Sequence, residues 1–188
     1  MITEMGRDLQ NIDDDILYAK RLIKERLCGD LDIIKYIHNE ELERVGADSS
    51  DYFNTNIFPF IRIPGTQDKV KNFICFSVDD MEDSMRNEAM KEQYIQFVVF
   101  CHGDDIDTGL GISRHDLLGY LIRDIFNWTN LLGLQLKLVY NRESVTDTNF
   151  SCRTLKFETV KPNSLYQGQF KPTPRKGDMV DNRGFIKY

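Results

Sequence analysis

The sequence has no long hydrophobic run. Nowhere in its 188 residues do apolar side chains continue for the roughly 20 positions that a membrane-spanning helix needs. The first ten residues are polar and lack the apolar stretch of a secretory signal peptide, so we expect neither feature. With 41% hydrophobic and 29% charged residues, the composition is that of a soluble globular protein. The length favours one domain around one core.

Cysteines are few, and their spacing does not favour a metal site. Cys28, Cys75, Cys101 and Cys152 form no CxxC pair, and no histidine stands at zinc-ligand spacing from them. The last three fall within apolar, strand-like runs, where a free cysteine behaves as a small core residue. We therefore expect buried thiols in a reducing compartment.

Positive charge is also scarce. The chain has 24 Lys and Arg residues against 30 Asp and Glu residues, a net charge of −6, which disfavours a protein that binds nucleic acid over a broad surface. Residues 161–188 nevertheless hold six basic and two acidic side chains, a net charge of +4, which leaves −10 on residues 1–160. A basic tail on an acidic body indicates either docking on an acidic surface or a solvated tail.

No motif with a known chemistry is complete. Residues 111–114 lack the second glycine of a GxSxG nucleophile elbow, and residues 109–111 lack the GK[ST] ending of a P-loop. The acids at positions 79–83 come from one segment, whereas a metal site needs ligands from several elements, so we interpret them as solvated charge. His102 and His115 are interpreted as a strand end and a first helical turn. The sequence predicts no catalytic residue, no cofactor and no metal ligand, and hence a protein that is not an enzyme.

The hydrophobic period is helical in the first quarter of the chain. Residues 9–27 carry one apolar stripe. Gly29 and Asp30 then supply a helix C-cap and a helix N-cap. A second, shorter helix is predicted over residues 31–45, with a loop after it at residues 46–52.

Beyond that loop the pattern favours strands. We predict them over residues 57–63, 70–78, 93–102, 134–140 and 150–160. One helix interrupts the series, because Ser113 and Asp116 stand at capping-box spacing before a wide apolar face that ends before Gly133. A long acidic loop is expected at residues 79–92 and a polar hairpin loop at residues 141–149.

This order of elements predicts an α+β protein. Strands joined by short loops should pair antiparallel. We therefore expect a mainly antiparallel sheet of about five strands, covered on one face by two or three helices. Residues 1–160 form this single domain. Residues 161–188 contain three of the five prolines and little periodicity, and are predicted to be a C-terminal extended arm.

The order and three local features resemble the tail-terminator, or tail-completion, family of head–tail joining proteins in the neck of long-tailed bacteriophages. The first feature is an N-terminal helix followed by an aromatic-Pro-aromatic strand, here residues 58–63. The second is a polar excursion, then a strand that ends in histidine at residues 97–102, then a Gly/Asp turn and a helix. The third is a closing pair of strands, the last rich in apolar and Thr residues. The resemblance covers about residues 9–160. The helix at residues 31–45 and the arm depart from it.

The resemblance implies a structural virion protein of the tail and neck, assembled in the host cytoplasm, that forms a ring, commonly a homohexamer. The ring would terminate the tail tube and join the tail to the head. Its partners would be further copies of the chain, the tail tube protein and a head–tail stopper or adaptor protein. DNA would pass through the lumen without sequence-specific binding, and no membrane would take part. The alternatives are another head–tail connector, a stopper or adaptor, or a small cytosolic enzyme or nucleic-acid-processing factor.

Three parts of the chain are candidates for the assembly interface: the exposed edge beside Pro59, the acidic loop at residues 79–92, and the arm. A ring needs contacts between two different surfaces, and thioether and aromatic side chains suit such contacts. We expect the loop to be flexible in the free protomer and to bind no metal, and the arm to act in assembly and not in folding. The candidate residues are Phe58, Pro59, Asp80, Met81, Glu82, Asp83, Met85, Met90, Tyr166, Phe170, Arg175, Phe185 and Tyr188.

Overall fold

A computed structural model describes residues 14–63, 65, 71–81, 90–132, 134–146 and 149–162. The helices in this part of the chain are α1 (Asp15–Gly29), α2 (Leu31–Ile37), α3 (Glu40–Val45) and α4 (Arg114–Phe126). The strands are β1 (Ile57–Phe58), β2 (Asn72–Met81), β3 (Met90–His102), β4 (Lys137–Val145) and β5 (Phe150–Pro162). Two 3₁₀ turns lie at Ser49–Tyr52 and Gly103–Asp105. Among these helices, none has both the length and the apolar character needed to cross a membrane.

Short polar side chains set the helix boundaries. The predicted break after Gly29 is confirmed, because the Asp30 carboxylate caps α2 by accepting the backbone N–H groups of Asp32 and Ile33 at 3.0 and 2.9 Å. The single helix predicted over residues 31–45 is wrong. His38 takes a left-handed conformation, with φ of 51°, and ends α2. The Asn39 side chain then caps α3 as a separate helix.

The five strands form one sheet in the order β1-β2-β3-β5-β4. Three of the four pairings are antiparallel, which confirms the predicted α+β class with a mainly antiparallel sheet. The pairing of β1 with β2 is parallel, contrary to the expectation. The strand predicted over residues 57–63 is also wrong beyond Phe58. Pro59 follows at once and cannot donate a ladder hydrogen bond, so the chain leaves the sheet there.

The sheet is longer than its hydrophobic pattern indicates. The ladder of β2 and β3 continues to the pair Met81 and Glu92, so only part of the predicted loop at residues 79–92 lies outside strands. The predicted hairpin loop at residues 141–149 is likewise wrong in its first half, because β4 continues to Val145. At the end of the β2–β3 ladder polar side chains form ion pairs, and in β4 they lie at the exposed sheet edge. The alternation of apolar and polar residues that marks a half-buried strand is therefore missing from the sequence in both places.

The main core lies between the helices and one face of the sheet. Phe97 of β3 sits at its centre, with its ring centroid 4.8 Å from that of Phe126 on α4 and 5.7 Å from that of Phe157 on β5. Ile23 and Leu27 of α1 and other apolar residues of the helices complete this layer. Helices thus cover one face of the sheet, as the sequence predicts.

A smaller apolar cluster occupies one end of the opposite face. The chain after β1 folds over it, and the Arg62 guanidinium lies 5.1 Å from the Phe58 ring and 5.4 Å from the Phe73 ring. All four cysteines are free and buried, in agreement with their interpretation as packing residues. The members of this cluster are Phe58, Phe73, Cys75, Val98, Phe100, Phe150 and Cys152.

Replacing the central aromatic residue tests the main core. The change Phe97→Ala should lower the free energy of unfolding by about 3–5 kcal/mol, since it removes a fully buried ring between two others. The matched control is Phe60→Ala, because the Phe60 side chain is half exposed. Its cost should stay below about 1 kcal/mol. Urea unfolding measures both, and equal losses would contradict this placement of the core.

Candidate functional site

The exposed apolar surface beside Pro59 lies a few residues further along the chain than the sequence predicts. The Phe58 ring is only 5% exposed, so it packs inside the protomer and does not offer a contact to another molecule, which corrects its assignment. Pro59 lies at the surface in part. The exposed apolar side chains come just after it, at Phe60, Ile61 and Ile63. We call residues 60–63 the β1-side segment.

Asp80, Met81 and Met90 lie at the paired ends of β2 and β3 and not in a loop. Met81 is exposed and Met90 partly so, and both remain available for contacts. Asp80 instead accepts hydrogen bonds from Lys91 Nζ at 2.7 Å and from Gln93 Nε2 at 2.6 Å. Its charge is therefore satisfied within the fold, which corrects its interpretation as a solvated loop residue.

Asp80 belongs to a cluster of four charged residues. The Lys91 ammonium is almost buried and lies 2.6 Å from Asp15 of α1 and 2.7 Å from Asp80. The Lys161 ammonium lies 3.4 Å from the same oxygen of Asp15. Burial would lower the pKa of Lys91, but the two carboxylates outweigh it and raise that pKa, whereas burial dominates at Lys161 and lowers its pKa. The cluster joins the start of α1, the β2–β3 hairpin and the end of β5.

The remaining interface candidates lie outside the described residues, and their assignment stays a prediction. They are Glu82, Asp83, Met85, Tyr166, Phe170, Arg175, Phe185 and Tyr188.

The strand predicted over residues 134–140 starts instead at Lys137 and continues to Val145, and this strand β4 forms an edge of the sheet, which the sequence does not reveal. It pairs with β5 on one side and with no other strand in the described part of the chain. Its residues are exposed or nearly so along its length, including Val139, Tyr140 and Val145. The unpaired backbone groups of such an edge are a template for another chain. The β4–β5 ladder contains a bulge between Leu138 and Tyr140. A bulge bends and twists an edge strand, and so limits how far another chain can pair along it.

A second exposed feature follows α4. Trp128, the single tryptophan of the chain, is more than half exposed and has a φ of 66°, which is unusual for a bulky residue. Leu134 nearby is also exposed, and its backbone oxygen accepts the Thr159 hydroxyl. Exposed tryptophan is typical of interface centres, so this turn is a further contact candidate.

The Asp105 carboxylate is the centre of a polar cluster next to α2 and α4. It accepts a hydrogen bond from Asn72 Nδ2 at 2.7 Å, lies 3.0 Å from His38 Nδ1 and forms an ion pair with Arg114 at 3.0 Å. Arg114 is almost buried, and its guanidinium donates further bonds to the backbone oxygens of Tyr36, Asp105 and Asp107. These residues come from four separate segments, which this one carboxylate ties together.

The same contacts set the acidity of Asp105. Burial would raise the pKa of this carboxyl group, but the hydrogen bonds from His38 and Asn72 and the charge of Arg114 outweigh it. The pKa therefore lies below its ordinary value of 3.8. The carboxylate stays ionised at neutral pH and acts as an anchor.

A groove of about 550 Å³ opens beside this anchor. Two of its polar groups already have partners within the fold, because Arg114 is paired with Asp105 and the Thr108 hydroxyl donates to the backbone oxygen of Ile112 at 2.6 Å. Its lining includes no serine or cysteine to act as a nucleophile in the described part of the chain. The lining residues are Leu31, Ile34, Lys35, Tyr36, His38, Glu43, Tyr52, Thr108 and Arg114.

Three side chains at the start of α4 and on β4 have the residue types of a metal site. His115, Asp116 and Glu143 bring their ligand atoms close together. Asp116 is already engaged, however, since Arg153 donates to one of its oxygens at 2.6 Å and Ser113 donates to the other. His115 Nε2 likewise lies 2.9 Å from a Glu143 oxygen, so all three side chains already have partners within the fold and this group fits an internal ion-pair network better than a metal centre.

Removing the charge of Asp105 tests the anchor. The change Asp105→Asn should lower the free energy of unfolding by about 2 kcal/mol at neutral pH, since Arg114 loses its ionic partner. Because the pKa is lower in the folded chain than in the unfolded one, the stabilisation is complete above about pH 4 and is lost on acidification. The difference between the two proteins should therefore shrink as the pH falls.

Urea unfolding between about pH 3 and pH 7 measures this difference. The matched control is Asp124→Asn, because Asp124 is exposed on α4. It should change stability by less than about 0.5 kcal/mol. A constant difference between Asp105→Asn and the parent protein across this range would contradict the assignment.

The chain matches a known protein family. The YomW family model matches residues 30–159, a segment that includes all five strands except the last residues of β5, together with the groove and Asp105. No curated protein matches the chain. The family name suggests a phage-derived protein of the Bacillus prophage SPBc2 type, and it specifies neither tail termination nor a place in the neck. The chain belongs to the YomW family and is a phage-associated protein.

Proposed function

We propose that this chain is a structural subunit of a phage neck, where it forms a ring that terminates the tail tube and joins it to the head. The observation that carries the proposal is the exposed edge strand β4, nine residues long. An exposed strand edge can add to the surface of a neighbouring chain through its backbone groups. Membership of a phage-associated family agrees with this role.

A second surface makes a closed ring possible. The β1-side segment exposes Phe60, Ile61 and Ile63 and follows the strand at the opposite edge of the sheet from β4. A head-to-tail ring needs two different surfaces on each protomer, placed so that one copy meets the next. We propose that β4 of one protomer faces the β1-side segment of its neighbour.

A small-molecule-binding protein is the second candidate function. The groove favours it, because a volume of about 550 Å³ lies in the usual range of ligand sites. Its buried polar groups bind each other, however, so a ligand would rely on the exposed rim. The native mass discriminates between the two functions, since a ring requires an oligomer and a binding protein does not.

The ring proposal predicts an oligomer that depends on the β4 edge. Native mass spectrometry of the full chain should show a closed oligomer, commonly a hexamer in the family it resembles. The change Tyr140→Glu should convert it to monomers without loss of stability, because it places a charge on an exposed edge side chain that we assign to the contact.

The matched control is Tyr120→Glu on the outer face of α4. The two tyrosines are exposed to a similar degree, 43% at Tyr140 and 48% at Tyr120, and each change adds one negative charge. The control should retain the oligomer. A full-length chain that stays monomeric, alone and when mixed with a tail tube protein, would overturn the ring proposal.

Residues 163–188, the part of the predicted arm beyond the end of β5, are proposed to act in assembly, and the end of β5 shows where to shorten the chain. A chain ending after Pro162 keeps the whole strand and the Lys161 ion pairs. It should keep its thermal midpoint and lose the oligomer. A chain ending after Val160 removes Lys161 and should also melt about 2–4 °C lower for each kcal/mol lost.

Calorimetry and native mass of the two shortened chains separate the roles. If the chain ending after Pro162 unfolds, the arm belongs to the folded body. If its oligomer survives unchanged, the arm has no part in assembly.

A further inference from the structure

We propose that the groove between α2, α3 and the segment 103–113 binds the C-terminal residues 163–188 of a neighbouring protomer. The proposal rests on the proposed ring and names the surface on which the arm docks. It gives a role to a groove that neither sheet edge explains.

The groove offers apolar and aromatic surface. Leu31 at its rim is 79% exposed, and Ile34 and Tyr36 lie beside it on the same helix. Tyr52 forms part of the wall. A side chain as exposed as Leu31, in a groove wide enough for aromatic rings, favours an apolar or aromatic occupant.

The elements around the groove are strongly acidic. Residues 30–52 contain seven acidic and two basic side chains, and residues 103–113 contain three acidic and no basic ones. Arg114 offsets only one of these charges, because its ionic partner is Asp105, and Asp104 and Asp107 remain on the segment 103–113. Glu43 faces into the groove close enough to act on Tyr52, whose pKa is raised by burial and then by the Glu43 charge.

The C-terminal residues have the complementary chemistry. Residues 163–188 contain five basic and two acidic side chains, a net charge of +3. They also contain four aromatic residues, which suit the apolar wall while the basic residues suit the rim. The aromatic residues are Tyr166, Phe170, Phe185 and Tyr188.

The direction of β5 favours a neighbour over the same protomer. The strand starts at Phe150, opposite His102 at the groove end of the sheet, and runs 13 residues to Pro162 at the other end. At about 3.3 Å per residue the chain leaves about 40 Å from its own groove and heads away from it. The 26 residues that follow can span at most about 90 Å, which is enough to reach either an adjacent protomer or the groove of the same one, and the isotope labels in the test below separate the two.

Photo-cross-linking of the full chain tests this assignment. One isotopically light protein carries a benzophenone side chain in place of Phe185 and is mixed with an equal amount of an isotopically heavy protein without it. We expect cross-links that join the light C-terminal peptide to heavy peptides from residues 31–52. The heavy chain is then changed to Glu43→Lys, which should lower the yield of these cross-links about fivefold by charge repulsion.

The matched control is Glu25→Lys in the heavy chain, because Glu25 is exposed on α1, does not line the groove, and undergoes the same change in charge. Its yield should equal that of the unchanged heavy chain. Equal yields for Glu43→Lys and Glu25→Lys would overturn the proposal, as would cross-links that map outside the groove or join light peptides only. Native mass spectrometry separates the failure of this inference from the failure of the ring proposal. A ring whose cross-links map elsewhere overturns only the docking of residues 163–188 in the groove, whereas a monomer overturns the ring as well.

Discussion

The contacts of the Asp105 carboxylate are the constraint on which the groove end of the molecule depends. His38 follows α2, Asn72 begins β2 and Arg114 begins α4, and all three meet this one group. A buried charge is stable only when it is paired and hydrogen-bonded. The ion pair with Arg114, together with the bond from Arg114 to the Tyr36 backbone oxygen, therefore holds the end of α2, the segment 103–113 and the start of α4 together beside the groove.

The sequence reveals the parts of this fold that depend on local patterns. The Asp30 cap and the apolar stripes of α1 and α4 are visible because a helix repeats its buried face every few residues. The centres of β2, β3 and β5 are visible for the same reason. The edge strand β4 is visible only in its first part, residues 137–140 of the predicted strand, because residues 141–145 are exposed and mostly polar and carry no alternation.

Charge partners are the second kind of feature that the sequence hides. Asp80 and Lys91 stand 11 positions apart and His38 and Asp105 stand 67 apart. In the sequence each of these acids lies in a polar segment typical of a solvated loop. Only the pairing of the strands and the packing of the helices bring each acid to its partner. The predicted acidic loop at residues 79–92 is therefore too long at both ends.

The charged cluster at the other end of the sheet fixes the point from which the C-terminal residues leave the domain. Lys161 is the residue before the last of β5, and it is held by Asp15, which also binds Lys91. The point from which residues 163–188 leave the domain is thus fixed by ion pairs to α1. A terminal segment with a fixed attachment point loses less conformational freedom on docking than one that follows a frayed strand end. In the proposed ring, the charged cluster therefore fixes the point where residues 163–188 begin, and the groove of a neighbouring protomer binds their far end.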